Sequence, residues 1–262
     1  MLAVESAIDI PPQPDGAVRS GNSCELCATR PACILANQSS IMLRALQPAI
    51  HELKFRKGDV LLEEGQHSSQ VKVIKVGSVF GYRCGLDGAS RPIGIAGRGA
   101  AFGMFAFFGQ PNQVTGIAAT AGRACVIAVP ALQARARESA VLSEQIAASM
   151  ARGCGAIAAW SECMRMNGIT NQLAYSVLLL SQAQRSAIVE LPTHSALAAL
   201  LGTTRETIAR ALGTLERQGI IRRLERRLCE VMRNRVLNLI NSNAAGPGRS
   251  PNYLEPAGDA SA

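Results

Sequence analysis

The sequence predicts an α+β protein that begins with an antiparallel β-roll, continues with a long helix and ends with a winged helix-turn-helix. Three observations support this order. Short apolar runs such as VKVIKVGSVFGY and CVIAVP, separated by glycines, extend from Ile41 to Pro130 and are typical of short strands joined by tight turns. After Pro130 the apolar residues recur at helical spacing, and two short helical patterns then flank Gly202.

The composition is that of a protein with buried cores and no membrane segment. Of the 262 residues, 48% are hydrophobic, which is enough for two ordinary domains. The opening MLAVESAIDIPPQPDG has no basic run before an apolar core, and no later stretch reaches the roughly 18 uncharged apolar residues of a membrane helix. We therefore expect a soluble cytoplasmic protein without a membrane partner, whose eight cysteines are thiols or metal ligands rather than disulfides.

The long helix carries a regular apolar stripe. Its members step by three or four residues, which is the spacing of a helix that packs against another helix. The stripe consists of Ile146, Met150, Gly153, Ile157, Trp160 and Met164. It predicts a dimer interface between two copies of the chain, with packing against the chain's own roll as the alternative.

The segment PTHSALAALLGTTRETIARALGTLERQGII predicts the helix-turn-helix. A first helix, about Ser195 to Leu201, ends at Gly202, which suits a left-handed C-terminal cap. Thr203 or Thr204 then caps a second helix. A helix, a tight turn and a second helix with a charged outer face is the usual arrangement of this DNA-binding motif.

The outer face of the second helix carries side chains suited to reading DNA bases. On it lie Arg205, Glu206, Ala209 and Arg210. Arg210 is able to pair with the O6 and N7 atoms of guanine, and Glu206 is able to accept a hydrogen bond from the amino group of cytosine. A capping box with Thr203 is the competing role for Glu206, and we favour the free carboxylate that a Thr204 cap allows.

The segment IIRRLERRLCEVM predicts a wing of two short strands around an arginine-rich turn. Such a turn contacts DNA phosphates without reading the bases. The predicted phosphate contacts are Thr204, Arg222, Arg223, Arg226 and Arg227. Residues 168–242 hold ten Arg, no Lys and five Glu, which is +5 of the net charge of +8. This balance favours double-stranded DNA as the partner, with an ordinary basic surface as the alternative.

Near the N-terminus, SCELCATRPACI places Cys24, Cys27 and Cys33 in a C-x2-C-x5-C pattern. By spacing alone, the three thiols fit a zinc site, a disulfide or an iron–sulfur cluster. Either metal site usually needs a fourth ligand, which the segment itself does not supply.

Together these features resemble the CRP/FNR family of bacterial transcription factors. The likeness extends from about Cys24 to Asn241 and rests on TRETIAR at 204–210, on the glycine-turned roll ending in CVIAVP, and on the order of the parts. It implies that the roll is a jelly roll like that of cyclic-nucleotide-binding domains. It also implies a sequence-specific transcription regulator rather than an enzyme, which acts as a homodimer on a palindromic DNA site and contacts RNA polymerase.

The cysteine lead-in is similar to that of FNR-type members, in which three N-terminal cysteines and one distant cysteine hold an oxygen-labile 4Fe–4S cluster. The resemblance implies Cys24, Cys27, Cys33 and Cys125 as ligands, because Cys125 lies in a strand just before a proline, with Cys84 as the rival. Loss of the cluster to oxygen or nitric oxide is then expected to weaken the dimer and release DNA. A zinc or thiol sensor, or no metal, is the alternative.

Cyclic nucleotide is the other ligand of this family, and the sequence argues against it. In CRP-like members a glutamate after G-x3-G binds the ribose and an Arg-Ser pair receives the phosphate. Here Met104 stands where the acid is expected, and no Lys or Arg occurs from Gly99 to Gly122. A buried phosphate would then lack a paired cation.

Two other classes of function are less well supported. An iron–sulfur electron carrier does not need a basic DNA-reading helix. An enzyme is disfavoured because His51, His67 and His194 are scattered, with no nucleophile or carboxylate pair beside them.

These patterns divide the chain into five segments with different expected roles. The expected division is a flexible segment with the cysteine cluster at 1–38, a β-roll sensor domain at 39–134, a dimerisation helix at 135–167, a winged helix-turn-helix domain at 168–242 and a disordered tail at 243–262.

Overall fold

The computed structural model of the chain describes residues 24–243 and, in addition, the backbone of residues 19 and 20. Most of the first 23 residues of the flexible segment expected at 1–38, and all but the first residue of the tail expected at 243–262, therefore lie outside the described residues.

An antiparallel β-roll follows a short helix, α1 (Ser40–Leu46). One sheet has the strand order β1-β2-β9-β4-β7 and the other has the order β3-β8-β5-β6. The strands are β1 (Arg19–Ser20), β2 (Ile50–Phe55), β3 (Val60–Leu62), β4 (Gln70–Val76), β5 (Val79–Cys84), β6 (Ser90–Ala96), β7 (Ala101–Phe102), β8 (Thr115–Ala118) and β9 (Gly122–Ala128). The predicted jelly-roll architecture is confirmed.

Glycines form turns between the strands of the roll, as the sequence predicted. Gly77, for example, joins β4 to β5 with a φ of +95°, and a Cβ there would lie 2.8 Å from the carbonyl oxygen of Ala121. Only glycine has this backbone conformation at no steric cost.

Alternation along the strands divides the apolar side chains into an inner core and two outer cores. On β4, Ile74 points into the space between the two sheets, whereas Val73 points to the outer face of the first sheet. On β5, Val79 points inward and Phe80 points to the outer face of the second sheet. Each sheet therefore has an apolar outer face that another part of the chain must cover.

Different parts of the chain cover the two outer faces. The cysteine segment, defined here as residues 24–36, packs on the first sheet together with α1, α2 (Val129–Glu138) and the start of α3 (Ala140–Arg165). The end of α3 and the C-terminal domain pack on the second sheet. The roll thus lies between the cysteines and the helix-turn-helix.

The C-terminal domain contains four helices and a small sheet of strand order β10-β12-β11. Its elements are α4 (Ile169–Gln184), β10 (Ile188–Glu190), α5 (His194–Leu200), α6 (Arg205–Arg217), β11 (Ile221–Arg223), β12 (Leu228–Val231) and α7 (Arg233–Asn243).

The single dimerisation helix predicted at 135–167 is instead the end of α2 followed by α3. The chain is extended at Ser139, whose hydroxyl oxygen accepts a hydrogen bond from the backbone N–H of Leu142 at 3.2 Å. This cap starts a new helix and ends the previous one.

The structure corrects part of the predicted dimer stripe. Trp160 is 3% exposed and packs on the second sheet of its own chain, and Ile146 is 2% exposed and packs on the first sheet. Met150 and Met164 are half-buried against the same two cores. Gly153 and Ile157 lie in the middle of α3, where residues 151–158 are all exposed.

None of the helices in the described part of the chain is both long enough and apolar enough to cross a membrane.

Candidate DNA interface and cysteine site

Two threonine caps set the helix-turn-helix. Thr193 caps α5 by accepting a hydrogen bond from the N–H of Ala196, and Thr204 caps α6 by accepting one from the N–H of Thr207, both at 3.2 Å. Gly202 lies between the helices with a φ of +61°, as the turn requires. The sequence placed the turn correctly, and the structure selects Thr204 over Thr203 as the cap.

The two faces of α6 differ sharply in exposure. Ile208, Leu212 and Leu215 are 0% exposed and anchor the helix in the C-terminal core. The four predicted base-reading residues, Arg205, Glu206, Ala209 and Arg210, are all exposed. The helix therefore presents an uncovered polar face of the kind that enters a major groove.

A chain of hydroxyl contacts, which the sequence did not reveal, leads to Arg210. The hydroxyls of Thr204 and Thr207 are 3.0 Å apart, and Arg210 Nη2 donates a hydrogen bond to Thr207 Oγ1 at 3.3 Å. The i, i+3 spacing of these three residues was the available signal, because such residues are neighbours on a helix surface.

Glu206 is exposed at the start of α6. A hydrogen bond from its own backbone N–H, and then the Thr204 hydroxyl, lower the pKa of its carboxyl group. The ionised carboxylate can accept a hydrogen bond from a base, as predicted for this residue.

The wing forms as predicted from β11 and β12, but its arginines differ in their surroundings. Arg222 pairs with Glu230 at 2.5 Å and Arg223 pairs with Glu216 at 3.5 Å. The two arginine side chains are exposed, and exposed ion pairs contribute only about 0–1 kcal/mol, so these pairs do not prevent either guanidinium from meeting a phosphate. Arg226 is exposed in the turn between the strands.

Arg227 does not fit the predicted phosphate role. Its Nε donates to the carbonyl oxygen of Leu191 at 3.1 Å, and its Nη2 lies 3.3 Å from the Glu190 carboxylate. These contacts hold the guanidinium against the segment after β10. We therefore correct its assignment from DNA contact to internal brace.

The cysteine segment winds in successive tight turns on the first sheet. The N–H of Cys27 donates to the carbonyl of Cys24 at 3.4 Å, and the N–H of Cys33 donates to the carbonyl of Arg30 at 3.0 Å. The side chains of Cys24 and Cys33 are buried, and that of Cys27 is half-buried. The turns thus direct a short stretch of chain onto one patch of the sheet.

Strand alternation brings Cys125 to the same patch. Cys125 lies opposite Glu52 and Val73 in the sheet and packs in the same apolar core as Cys24 and Cys33. Cys84, the rival fourth ligand, is exposed near the hairpin of the other sheet, where its N–H bonds Glu64. Cys24, Cys33 and Cys125 therefore share one apolar core, with Cys27 in the same segment, whereas Cys84 lies on a strand of the other sheet.

The four thiols are close enough to influence one another electrostatically. Burial raises the pKa of Cys125 to about 12, with Cys33, Cys24 and Cys27 adding to the rise and Lys75 opposing it. Burial also raises the pKa of Cys33 to about 11 and raises that of Cys24. A bound metal would replace these protons, because only the thiolate is a ligand.

A charged group missed by the sequence analysis borders the thiols. Lys75 Nζ pairs with Glu52 Oε2 at 2.5 Å, and both side chains are mostly buried. Although burial opposes it, the hydrogen bond to Glu52 raises the pKa of Lys75. The charged ammonium lowers the pKa of Cys125 and of Cys24, against the rise that burial causes.

The four thiols are not arranged as the ligands of one metal ion. Between residues 24 and 243, no three Cys, His, Asp or Glu side chains are grouped closely enough to hold one. A 4Fe–4S cluster takes one thiolate at each iron, so the ligands of a cluster would be spread more widely than those of zinc.

Two parts of the chain match known families. Residues 52–139 match the cyclic nucleotide-binding domain and residues 172–237 match the Crp-like helix-turn-helix domain. A β-roll followed by a helix-turn-helix with an exposed reading face defines a DNA-binding transcription regulator. The chain belongs to the CRP/FNR family of these regulators.

Individual relatives are similar over most of their length. The chain is 23% identical to the cyclic AMP receptor protein of Thermus thermophilus over 169 residues, which are 64% of this chain and 78% of that one. The structure of FixK2 from Bradyrhizobium japonicum is 22% identical with a TM-score of 0.61, covering 72% of this chain and 96% of FixK2. A CRP-family regulator from Thermus thermophilus is 18% identical with a TM-score of 0.58, covering 72% and 96%. These structures share the fold.

Proposed function

We propose that this regulator senses oxygen or nitric oxide through a 4Fe–4S cluster ligated by Cys24, Cys27, Cys33 and Cys125. The observation that carries the proposal is that Cys24 and Cys33 share one buried core with Cys125, which lies far along the chain, while Cys27 acts electrostatically on the same Cys125 thiol. A site that ties a terminal segment to a distant strand suits a switch better than a permanent brace.

When bound, the cluster supplies an oxygen-labile group that four thiolates hold together. With the thiolates ligated, the cysteine segment is fixed on the first sheet and covers the core that also contains Leu142 and Ile146 of α3. Without ligation, the buried thiols regain protons, and the segment is held only by its apolar packing, such as that of Ile34 and Leu35, and by its hydrogen bonds. The start of α3 then loses part of its packing.

The dimer is proposed to form through the exposed middle of α3. Residues 151–158 have the sequence ARGCGAIA, with one charged side chain in eight, and are exposed on all sides. Small residues let two helices approach closely, and a second copy would bury this surface. A change in packing at the start of α3 shifts the population between monomer and dimer.

The DNA site is proposed to be palindromic, with half-sites about one helical turn apart. Arg205, Glu206 and Arg210 read bases, Ala209 allows close approach, and Thr204, Arg222, Arg223 and Arg226 contact phosphates. RNA polymerase is the further partner expected of a regulator of this kind.

Regulation is proposed to be independent of cyclic nucleotide. Met104 is 6% exposed and packs in the core of the cysteine site instead of facing a ligand. Since no Lys or Arg occurs from Gly99 to Gly122, a cyclic phosphate would lack a charge partner in this segment.

The test is anaerobic purification followed by visible absorption, assays of iron, zinc and acid-labile sulfide, and then exposure to air. We expect iron and sulfide that disappear in air together with affinity for a palindromic duplex selected from a randomised pool. Cys125→Ser should lose the iron, and the matched variant Cys84→Ser should keep it. Zinc without sulfide would establish the zinc alternative, and iron loss in Cys84→Ser would overturn the ligand set.

A further inference from the structure

A short loop between β6 and β7 touches both the cysteine segment and the C-terminal domain. It consists of Gly97, Arg98 and Gly99, and is called the coupling loop here. Two backbone hydrogen bonds fix its shape: Gly99 N–H donates to Ile74 O at 2.8 Å and Ala100 N–H donates to Gly97 O at 3.0 Å. The loop is thus tied to β4, the strand that runs beside Cys125.

On one side, the coupling loop contacts the last turn of α4. Arg98 N–H donates a hydrogen bond to the carbonyl of Ala183 at 2.9 Å. Gly97 is packed so tightly against the same carbonyl that a Cβ at this position would overlap it. Helix α4 packs on the reading helix α6 within one core, so the position of its end bears on the position of the whole domain.

On the other side, the coupling loop contacts the backbone of the cysteine segment. Arg98 Nη2 donates to the carbonyl of Ala28, the residue after Cys27. Gly99 has a φ of +87°, and a Cβ there would lie 2.5 Å from the Cβ of Ala32, the residue before Cys33. Both contacts adjoin predicted ligands without involving their thiols.

We propose that Arg98 and its flanking glycines are positioning residues that couple the order of the cysteine segment to the docking of the DNA-binding domain. Ala28 and Ala183 are bonded to one and the same residue, and the glycines place backbone against backbone with no flexible side chain between them. Close-packed groups of this kind shift together rather than absorbing a displacement. The idea that this connection transmits the state of the sensor rests on the proposed function. The mechanical connection itself does not.

The space beside the loop allows the domain to move. A cleft of about 290 Å³ separates the roll from the end of α4 and is bordered by Arg98, Ser78, Gln184 and Ser186. Release of the coupling loop from the cysteine segment would free the end of α4 to shift into this cleft. The dimer need not change for this route to act, which distinguishes it from the proposed effect on α3.

The test is hydrogen–deuterium exchange on the full-length protein as purified, with its iron and zinc content measured. Gly97→Ala pushes on the α4 side of the loop, and we expect amide exchange at residues 28–36 to rise by roughly 2- to 30-fold. Arg98→Ala should raise exchange both there and at residues 180–186. Arg91→Ala, an exposed arginine of the same roll paired with Asp87, should change neither segment.

A second variant separates coupling from general loss of stability. Gly94→Ala disturbs the contact of the roll with α3 but does not touch the coupling loop. If it raises exchange at residues 28–36 as much as Gly97→Ala does, the coupling is wrong. The coupling is also wrong if Arg98→Ala leaves exchange at residues 180–186 unchanged, because the bond to Ala183 comes from the Arg98 backbone and only the bond to Ala28 is removed. If protein purified without oxygen contains no iron, the proposed cluster fails while the exchange data still decide the coupling.

Discussion

The indole of Trp160 on α3 lies directly against Gly94 on β6, and its Nε1–H donates a hydrogen bond to the carbonyl of Ile95 at 3.3 Å. A Cβ at position 94 would be 2.8 Å from Cδ1 of the indole. This contact joins the end of the long helix to the second sheet of the same chain. It makes Gly94 a position where only the smallest residue fits.

Gly94→Ala should therefore destabilise the protein. The added methyl group forces the buried indole or the strand to move, and overpacking of this kind costs about 1–3 kcal/mol. Denaturant unfolding followed by Trp160 fluorescence measures the change, since the chain has one tryptophan. Gly213→Ala is the control, because no atom lies within 4 Å of a Cβ at that position of α6. It should stabilise the helix by up to about 1 kcal/mol. Equal stability of the two variants would contradict the prediction.

The same contact shows what the sequence was unable to decide about α3. The spacing of Ile146, Ile157 and Trp160 predicts an apolar stripe but not the surface that covers it. The helix passes from one sheet to the other, so the stripe is buried by the chain's own roll at both ends and is exposed only in the middle. Such a change of neighbour along one helix depends on tertiary packing and leaves no mark on the periodicity.

Alkaline pH should weaken the junction of α3 and α4 at Cys163. This thiol contacts Ser176 Oγ and the carbonyl of Gln172, both at 3.2 Å, and burial raises its pKa from 9.0 to about 11. Between these values the folded state holds a proton that the unfolded state has lost. The contribution of this thiol to the free energy of unfolding is fully present below pH 9. It is lost as pH rises through 11, a decrease of roughly 2–3 kcal/mol.

The measurement is the unfolding free energy of wild type and Cys163→Ala between pH 8 and about 10.5, in the presence of reductant. The substitution should lower stability at pH 8 and make the decline with pH shallower. Parallel curves would show that Cys163 does not contribute to the pH dependence.

The middle of α3 should control dimer formation. Ile157 is 56% exposed in the single chain, so Ile157→Asp should leave its folding almost unchanged. A carboxylate buried between two helices would weaken the dimer by at least about tenfold, or 1.4 kcal/mol. Sedimentation at several concentrations gives the dimer constant. Val141→Asp, at an apolar position of α3 that is 46% exposed, should dimerise like wild type. Normal dimerisation of Ile157→Asp would place the interface elsewhere.

Local features of the DNA site were predictable from the sequence, whereas contacts between distant strands were not. Local patterns around Gly202 and Thr204 gave the helix-turn-helix, its turn and its exposed face, because caps and turns depend on adjacent residues. The partners of Arg227 and of Lys75 were not predictable, since they come from β10 and β2. Contacts between distant strands depend on register, and a single sequence does not reveal it.

Thr207 should sharpen base recognition by holding Arg210. Its hydroxyl accepts a hydrogen bond from Arg210 Nη2 and contacts the Thr204 cap. Thr207→Val keeps the shape but removes the hydroxyl, so the guanidinium samples more positions before binding. We expect discrimination against a base change at the guanine read by Arg210 to fall by about 1 kcal/mol, or roughly fivefold. Fluorescence anisotropy on the selected duplex and on its single-base variants measures this difference.

The pattern of affinity loss across different duplexes distinguishes a Thr207 that positions Arg210 from a Thr207 that contacts DNA directly. If Thr207 binds a phosphate itself, Thr207→Val weakens all duplexes alike and lowers the dependence of affinity on salt, since phosphate contacts carry no sequence information. If it positions Arg210, only that guanine loses its preference, and Thr207→Ser restores the preference because it returns the hydroxyl. Arg210→Ala sets the upper limit, a loss of about 1–3 kcal/mol at the same base pair. Full discrimination in Thr207→Val beside lost discrimination in Arg210→Ala would mean that the hydroxyl contact has no part in recognition.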